Sequence, residues 1–398
     1  MAQAFKGHFA IGKEVTYGTP VTPTDFARYL EAEVEVNQNV HLPENSGSRY
    51  QDTAVFGPLD PRPRCVIEVR PDTIGRFLQA AVGRATTVGT DVGGGGGSQL
   101  NGAVSAGATV VTLDSVAGYA VNDYVQIGVS SPDLPEVRKV TAVGAFTLTL
   151  DKALTFAHAD NEVCNEVAAP FTHTFTPTDD LDSYTAEKRI GTFGTKAFRV
   201  PGSKVNTAEV RFEATSGAAG AAQGEFNWLG RDVDDTGPNA ATLSALSAFM
   251  FHHGSVELGG VPLPRQPRNV RVGWNNQLVE DDYVIGSRRR KKADAGGLVV
   301  EGEYSLVFDD LEQIRRFWGS DAATTPAAAP TFRALSVILD DGTRHLKFVM
   351  PSVLLTAGTV SAAGKSQVTQ RFTFGATEGS GGAVPMTAEL KNAVPYYD

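Results

Sequence analysis

The chain has 398 residues, 41% of them hydrophobic, and this length suggests two or three domains. Glycine (42) and proline (21) are plentiful while amphipathic helices are few, so the composition favours short strands joined by turns, a mainly β protein. The net charge of −10 is opposite in sign to that of proteins that neutralise phosphates, which argues against tight nucleic-acid binding.

The cysteines, the first residues and the apolar runs of the sequence indicate the cellular compartment of the protein. Cys65 and Cys164 fall in segments that we assign to different domains, which predicts free thiols in a reduced compartment. Residues Met1–His8 lack the apolar core of a signal peptide, and no run approaches the roughly 18 apolar residues of a membrane span. We therefore expect a soluble chain that is made and used without secretion or membrane contact.

The first strand–helix pattern runs from Cys65–Arg70 into Asp72–Leu78, where Asp72 stands at an N-cap position and apolar residues follow at helical spacing. Residues 84–98 then read as a break, because the glycine run Gly93–Gly97 cannot hold a fixed structure by itself. The sequence predicts that a first domain is interrupted here.

Closely spaced alternating strands follow the break and predict a small inserted β-barrel or Ig-like sandwich over residues 98–167. The interrupted first domain, 1–97 and 168–235, resumes at Phe171–Phe175. An insertion is tolerated where its ends meet at a surface loop, so we expect the insert on the outside.

A second unit is predicted over residues 236–398. Its beginning, Asn239–Leu258, fits either a helix or a hairpin, and we favour a hairpin from about Ala248. Strands at Val270–Trp274 and Leu298–Phe308, and a helix ending at Trp318, follow in order.

The two units echo each other. Phe198–Pro201 has the pattern F-x-x-P, which returns 150 positions later in Phe348–Pro351, and the strand–helix pattern returns at Glu303–Trp318. The fold class that we predict is mainly β, with two tandem β-sandwich or barrel domains, each carrying one short helix, plus the small all-β insert. Duplication of this kind points to ring building rather than to chemistry.

Two long polar segments occupy matching places, Val40–Arg64 and Ile285–Gly297, and loops of this length are usually functional or disordered. The second contains the basic run Arg288–Lys292. This run fits a solvated loop tip, a contact with an acidic surface on a neighbouring subunit, or a contact with DNA. The sequence leaves these three interpretations open.

No catalytic pattern is complete. Gly364–Ser366 resembles the end of a phosphate-binding loop, but Gly358 lies one residue too far away and a strand pattern follows. The pair His252-His253 reads as an exposed turn, since neighbouring side chains of a strand point to opposite sides. We predict that the chain is not an enzyme and has no catalytic residue, cofactor or metal site.

The opening segment Ile11–Asp25 resembles the start of the tail tube proteins (major tail proteins) of long-tailed, non-contractile bacteriophages, in which a G-x-E-x-x-[YF]-G-T pattern precedes the first strands. Here the pattern is carried by Gly12, Glu14, Tyr17, Gly18 and Thr19. The resemblance continues in Arg70–Leu78, Phe171–Phe175 and Phe198–Val205.

This resemblance implies rings whose subunits share one continuous inner β-barrel and stack into a hollow tube. Double-stranded genomic DNA would pass through the lumen without specific binding. Together with the duplication it implies three chains per ring with pseudo-sixfold symmetry. It also implies partners, namely other copies and the tape measure, terminator and distal tail proteins, and a place in the virion tail after assembly in the host cytoplasm.

Long loops of such proteins usually reach from one ring to the next, so the resemblance assigns ring stacking to the two polar segments. The residues predicted to stack are Asn45, Arg49, Asp52, Arg62, Arg288, Arg289, Arg290, Lys291 and Lys292. Both chain ends, Met1–Lys6 and Ala383–Asp398, are expected to become ordered only on assembly.

Two alternatives to a tube protein remain. One is a phage connector or baseplate ring that never polymerises. The other is a β-sandwich adhesin whose insert recognises a surface ligand through the aromatic residues Tyr119, Tyr124 and Phe146.

Overall fold

The computed structural model describes residues 7–43, 49–50, 53–92, 97–129, 134–190, 197–214, 220–235, 240–362, 364 and 367–397. The elements up to the end of the insert are β1 (His8–Lys13), β2 (Asp25–Ala27), β3 (Tyr29–Asn37), β4 (Val40–His41), β5 (Val55–Phe56), β6 (Asp60–Glu68), α1 (Ile74–Val82), β7 (Gly83–Asp91), β8 (Gly97–Gln99), β9 (Val110–Thr112), β10 (Tyr124–Ile127), β11 (Glu136–Val143), β12 (Thr147–Leu150) and β13 (Val163–Pro177).

The elements that follow are β14 (Tyr184–Arg189), β15 (Phe198–Glu213), β16 (Gln223–Leu229), β17 (Gly254–Leu258), β18 (Val261–Pro262), β19 (Asn269–Asn275), β20 (Val299–Val307), α2 (Glu312–Phe317), β21 (Arg333–Asp340), β22 (His345–Ser361), β23 (Thr369–Ala376) and β24 (Thr387–Asn392). The prediction of a mainly β protein with short helices is confirmed.

Two series of strands pair in the same order. In the first, β2 pairs with β1, and the order continues through β14, β15, β16 and β6 to β3. In the second, β18 pairs with β17, and the order continues through β21, β22, β23 and β20 to β19. Helix α1 follows β6 as α2 follows β20. The domain boundaries themselves stay a prediction.

Register irregularities mark the same positions in both series. The pairing of β15 with β16 shifts between Val205 and Thr207, and the pairing of β22 with β23 shifts between Leu355 and Ala357. Both positions are offset by 150 (205 to 355, 207 to 357), which is also the spacing of the two F-x-x-P segments. A β-bulge is a specific local feature, so its recurrence at one offset ties the two strands together residue by residue.

Strands β15 and β19 join the two series edge to edge. The result is a continuous antiparallel sheet in the order β3, β6, β16, β15, β19, β20, β23, β22. One face of this sheet packs on a large hydrophobic core to which both series contribute, including Phe77 of α1, Trp228, Trp274 and Phe348.

The insert has a core of its own, which includes Leu100, Val111, Val125, Leu148 and Cys164. Its last strand, β13, runs without interruption from the insert into the main body and pairs there with β7 and β24. The predicted break is therefore wrong for residues 84–91, because they form β7 against β13. Residues 93–96 of the glycine run lie outside the described part of the chain.

The C-terminal segment is ordered within the single chain, contrary to expectation. Strand β24 pairs with both β13 and β22, and Tyr397 is buried beside α1 with its ring 4.7 Å from that of His173. Two local predictions also need adjustment. The N-cap of α1 is Thr73 rather than Asp72, and the hairpin that opens the second series lies at β17–β18.

Candidate assembly surfaces

The eight-stranded sheet ends in two strands with open edges. Among the described strand pairs, β3 pairs only with β6, and residues 354–361 of β22 pair only with β23. Their counterparts in the other series, β19 and β15, cover each other's edges. Unpaired backbone N–H and C=O groups along an edge are templates for pairing with another strand.

The face of this sheet opposite the core is polar. Side chains alternate along each strand, so every second residue points away from the core. The acidic members of this face are Glu31, Glu33, Glu35, Glu68, Glu209, Glu213, Glu225, Glu301 and Glu303, and the basic members are Arg62, Arg64, Arg211, Arg271 and Arg371. Carboxylates therefore exceed guanidinium groups.

Cross-strand ion pairs organise this polar face. Arg64 bonds Glu225 at 2.8 Å and Glu31 at 3.0 Å, and the hydrogen bond to Glu225 raises the pKa of Arg64 above its ordinary value. Arg271 pairs with Glu209 across the joint between the two series, and Arg371 pairs with Glu303. The guanidinium groups are thus held by neighbouring carboxylates, and the surplus charge of the face is negative.

The two long polar segments lie against each other. The first contains the hairpin β4–β5, and Leu59 beyond it donates its N–H to the carbonyl of Arg288 in the second, at 2.8 Å. The guanidinium of Arg288 donates to the carbonyl of Gly57 at 2.7 Å and lies over the ring of Phe56. Segments from opposite halves of the sequence thus contact each other, and we call their described residues (40–43, 49–50, 53–64 and 276–298) the paired loops.

Arg290 is the buried anchor of the paired loops. Its side chain is 1% exposed and donates to the carboxylate of Asp60 at 2.8 Å and to the carbonyls of Gly230 and Glu280. A guanidinium can be buried when its donors are satisfied in this way. Because Asp60 lies in the first series and Arg290 in the second, this contact locks the paired loops together before any assembly.

The other residues predicted to stack are placed as follows. Arg62 pairs with Asp60 and Glu280, Arg289 pairs with Asp232, Lys292 pairs with Asp180 and Asp294, and Arg49 and Lys291 are exposed. Asn45 and Asp52 lie outside the described residues. Much of the basic run is therefore engaged by acidic groups of its own chain, and its role in stacking stays a prediction.

Apolar side chains on the paired loops are open to solvent. The members of this exposed set are Val40, Leu42, Val55, Phe56, Val284 and Ile285. Several exposed apolar groups on contacting loops are typical of contact surfaces rather than of a solvated tip.

The structure explains the opening motif through Glu14. This carboxylate is buried and accepts four hydrogen bonds of 2.8 Å, from the N–H groups of Gly18 and Gly202 and the hydroxyls of Ser183 and Thr185. Gly18 has φ +72°, and a Cβ there would meet Arg231. Glu14 thus ties the opening loop to β14 and β15, which is why a carboxylate and a glycine stand at these positions.

The candidate chemical motifs give no complete site within the part of the chain that the structure describes. Gly364 lies in a turn, and residues 365–366 are outside the described range. His252 and His253 lie in a 3₁₀ turn with ring centroids 4.3 Å apart, which agrees with the prediction that they are turn residues. Among the described residues, no group of three or more His, Cys, Asp or Glu could hold a metal ion.

The aromatic residues of the adhesin alternative are dispersed. Tyr119 belongs to the insert core and donates its hydroxyl to the carbonyl of Cys164 at 2.6 Å. Tyr124 packs edge-on against Phe171, and Phe146 is 60% exposed. They offer no common binding surface.

The chain is built on one large antiparallel sheet with a polar face and open edges, which places it in the class of mainly β proteins. It belongs to the phage tail tube protein family, because the model of that family matches residues 4–376, nearly the whole sequence. No curated protein matches the chain. Membership confirms the resemblance seen in the opening motif and gives the chain a structural role in the phage tail, as a component of the tube that assembles with other tail proteins. Neither helix of the described residues is long and apolar enough to cross a membrane.

Proposed function

We propose that three copies of this chain close head to tail into a ring with pseudo-sixfold symmetry, and that rings stack into a tube through which the phage genome passes. The observation that carries this proposal is the pair of open edges, β3 and the second half of β22, on a sheet whose equivalent edges are already joined inside the chain. Head-to-tail contacts of this kind close into rings when the rotation allows.

The polar face of the sheet supports a role as the wall of the lumen. Its surplus of carboxylates repels the phosphates of double-stranded DNA, so the genome slides past without binding. The paired ion bridges across the strands hold the arginines away from the DNA backbone.

The paired loops support a role in stacking. They are fixed to the body by Arg290 and present exposed apolar groups, among them Phe56 and Ile285, that a neighbouring ring would cover. The insert, with its own core, then lies on the outside of the tube. We place the chain in the virion tail, assembled in the host cytoplasm with the tape measure, terminator and distal tail proteins as partners, and without catalytic function.

The test is negative-stain electron microscopy of the purified chain at high concentration, together with mass photometry of the same sample after dilution. Hollow tubes that dissociate into particles of three chains are the expected result. Closed rings that never stack would favour a connector or baseplate ring, six chains per ring would contradict closure as a trimer, and a persistent monomer would contradict the proposal as a whole.

A further inference from the structure

The pairing of β15 with β19 inside the chain indicates how the open edges of β22 and β3 could pair between two copies. In this joint Thr207 stands opposite Asn275 and Arg211 opposite Arg271, in unbroken antiparallel register. Both strands have counterparts in the other series. The counterpart of β15 is β22, at the offset of 150 that the bulges fix.

The counterpart of β19 is β3, and the cross-strand rows of the sheet give the match residue by residue. One row runs from Thr207 through Asn227 and Arg64 to Glu33. The equivalent row runs from Ala357 through Thr373 and Glu303 to Arg271. Glu33 therefore occupies in β3 the place of Arg271 in β19.

We propose that residues 357–361 of β22 in one copy pair antiparallel with residues 33–37 of β3 in the next copy, with Ala357 opposite Asn37 and Ser361 opposite Glu33. The inference rests on the proposed ring and specifies the register of its contact. The residue pairs of the internal joint define this register. Thr207 opposite Asn275 corresponds to Ala357 opposite Asn37, and Arg211 opposite Arg271 corresponds to Ser361 opposite Glu33.

The side chains match on both faces of this pairing. On the polar face, the hydroxyls of Thr359 and Ser361 stand opposite the carboxylates of Glu35 and Glu33 and can donate to them. On the core face, Val360 stands opposite Val34, and the pairing covers Val360, which is 46% exposed in the single chain. A slip by one residue would place valines against glutamates, because the side-chain period of a strand is two.

The contact between copies differs chemically from its internal template. Arg271 and Glu209 form an ion pair across the internal joint, whereas their counterparts are Glu33 and Thr359. The joint between copies therefore lacks this bridge and depends on backbone pairing, hydroxyl–carboxylate bonds and the covered valines. We expect it to be the weaker of the two joints and the one that opens when rings dissociate.

Cysteine pairs in the full chain test the register. Residues directly opposite in an antiparallel pair have Cα atoms about 4.5–5.5 Å apart, which suits a disulfide. Glu33→Cys with Ser361→Cys is the matched pair, and Glu33→Cys with Thr359→Cys, two residues out of register on the same face, is the control. Cys65 and Cys164 are buried and do not compete.

Each variant is first checked for rings by electron microscopy, then oxidised by dissolved oxygen with copper phenanthroline and run on a non-reducing denaturing gel. We expect dimers and trimers from the matched pair, in at least about ten-fold excess over the control pair, given the distance limits of disulfides. The adjacent pair Glu35→Cys with Thr359→Cys should behave as the matched pair does. Rings that crosslink mainly through the control pair, or through no pair, would overturn the register and leave the tube in place; the absence of rings in the unmutated chain would overturn both.

Discussion

Strands β15 and β19, which pair with each other inside the chain, occupy the same places in their series as β22 and β3, whose edges are open. The side chains along these two pairs of strands differ in burial and in charge. At the joint, Trp274 is 2% exposed and packs on Phe348, whereas its counterpart Val36 on the open edge is 38% exposed. The polar face differs in the same way, with an arginine at position 271 and a glutamate at position 33. One joint is completed within the single chain, and in the proposed ring the other is completed by a second copy.

The effect of a substitution therefore depends on which of the two joints it changes. A change at a closed contact acts on the free energy of unfolding of the single chain, because the contact already exists there. A change at an open edge acts on association and leaves the single chain nearly as stable as before, because exposed side chains contribute little to folding.

The largest effect on folding is expected from Trp274→Ala. The substitution leaves a cavity against Phe348 and removes the hydrogen bond from the indole N–H to the carbonyl of Ala81 at 3.1 Å. A loss of about 4 kcal/mol in the free energy of unfolding follows from comparable truncations. Urea unfolding followed by circular dichroism, at a concentration below ring formation, measures it.

The matched control is Val36→Ala at the open edge. It should lower the free energy of unfolding by less than about 1 kcal/mol and weaken ring formation instead. Equal destabilisation of the single chain by both substitutions would break the comparison between closed and open joints.

Removal of the buried anchor comes next. Arg290→Met removes the donor of the Gly230 and Glu280 carbonyls and one of the two guanidinium partners of Asp60, which keeps Arg62, at a cost of about 3 kcal/mol in the free energy of unfolding. Arg289→Met is the control, because Arg289 is 57% exposed in its pair with Asp232 and should cost at most about 1 kcal/mol. Similar unfolding midpoints for the two variants would show that Arg290 does not anchor the paired loops.

A third closed contact responds to pH. His173 is fully buried where β13, β7 and the C-terminal segment meet. Its Nδ1 lies 2.9 Å from the hydroxyl of Thr87, and its Nε2 donates to the carbonyl of Val394. Burial lowers the pKa of His173 to about 4, so the folded chain resists a proton that the unfolded chain takes up near pH 6.5.

Stability should therefore fall as the pH drops from 6.5 towards 4, by roughly 3 kcal/mol at the acid end. His173→Gln should remove this component and flatten the acid limb of the unfolding midpoint against pH. His158 contributes with the opposite sign: burial alone would lower its pKa, but its bonds to Glu136 and Glu162 raise it. The quantity to compare is therefore the difference in unfolding midpoint between the variant and the parent at each pH. Parallel curves of midpoint against pH would show that His173 does not cause the loss of stability in acid.

The smallest effect is expected from rebuilding the internal ion pair at the open edges. Glu33→Arg with Thr359→Glu places between copies the pair that Arg271 and Glu209 form within the chain. A cross-strand ion pair contributes about 0.5–1 kcal/mol, so the concentration needed for assembly should fall about two- to five-fold at low salt.

Sedimentation velocity against protein concentration measures this shift. Thr359→Glu alone is the control and should raise the required concentration, because it brings a carboxylate towards Glu33 and Glu35. If the double variant assembles no better than this single variant, the two edges do not meet in the proposed register.

Much of the fold could be predicted from the sequence where a local pattern carries it. The repeated F-x-x-P pattern lies on strands β15 and β22, which occupy equivalent positions in the two series. The pattern could be recognised in the sequence because it is a local feature of each strand. Strand β7 was missed because the glycines beside it suggested a break, and its partner β13 lies some eighty residues further on. The order of the C-terminal segment was missed for the same reason, since β24 depends on two distant strands.

The assembly surfaces were likewise predictable only in part from the sequence. The mainly β class, the resemblance to the tail tube family in the Glu14 motif and the presence of two long polar loops could be inferred from local patterns of residues. The contact between these loops, the burial of Arg290 and the open edges of β3 and β22 became apparent only once the chain was folded. Local patterns record which residues a strand or turn needs, whereas pairing between distant strands depends on which edges remain free after the whole chain has packed.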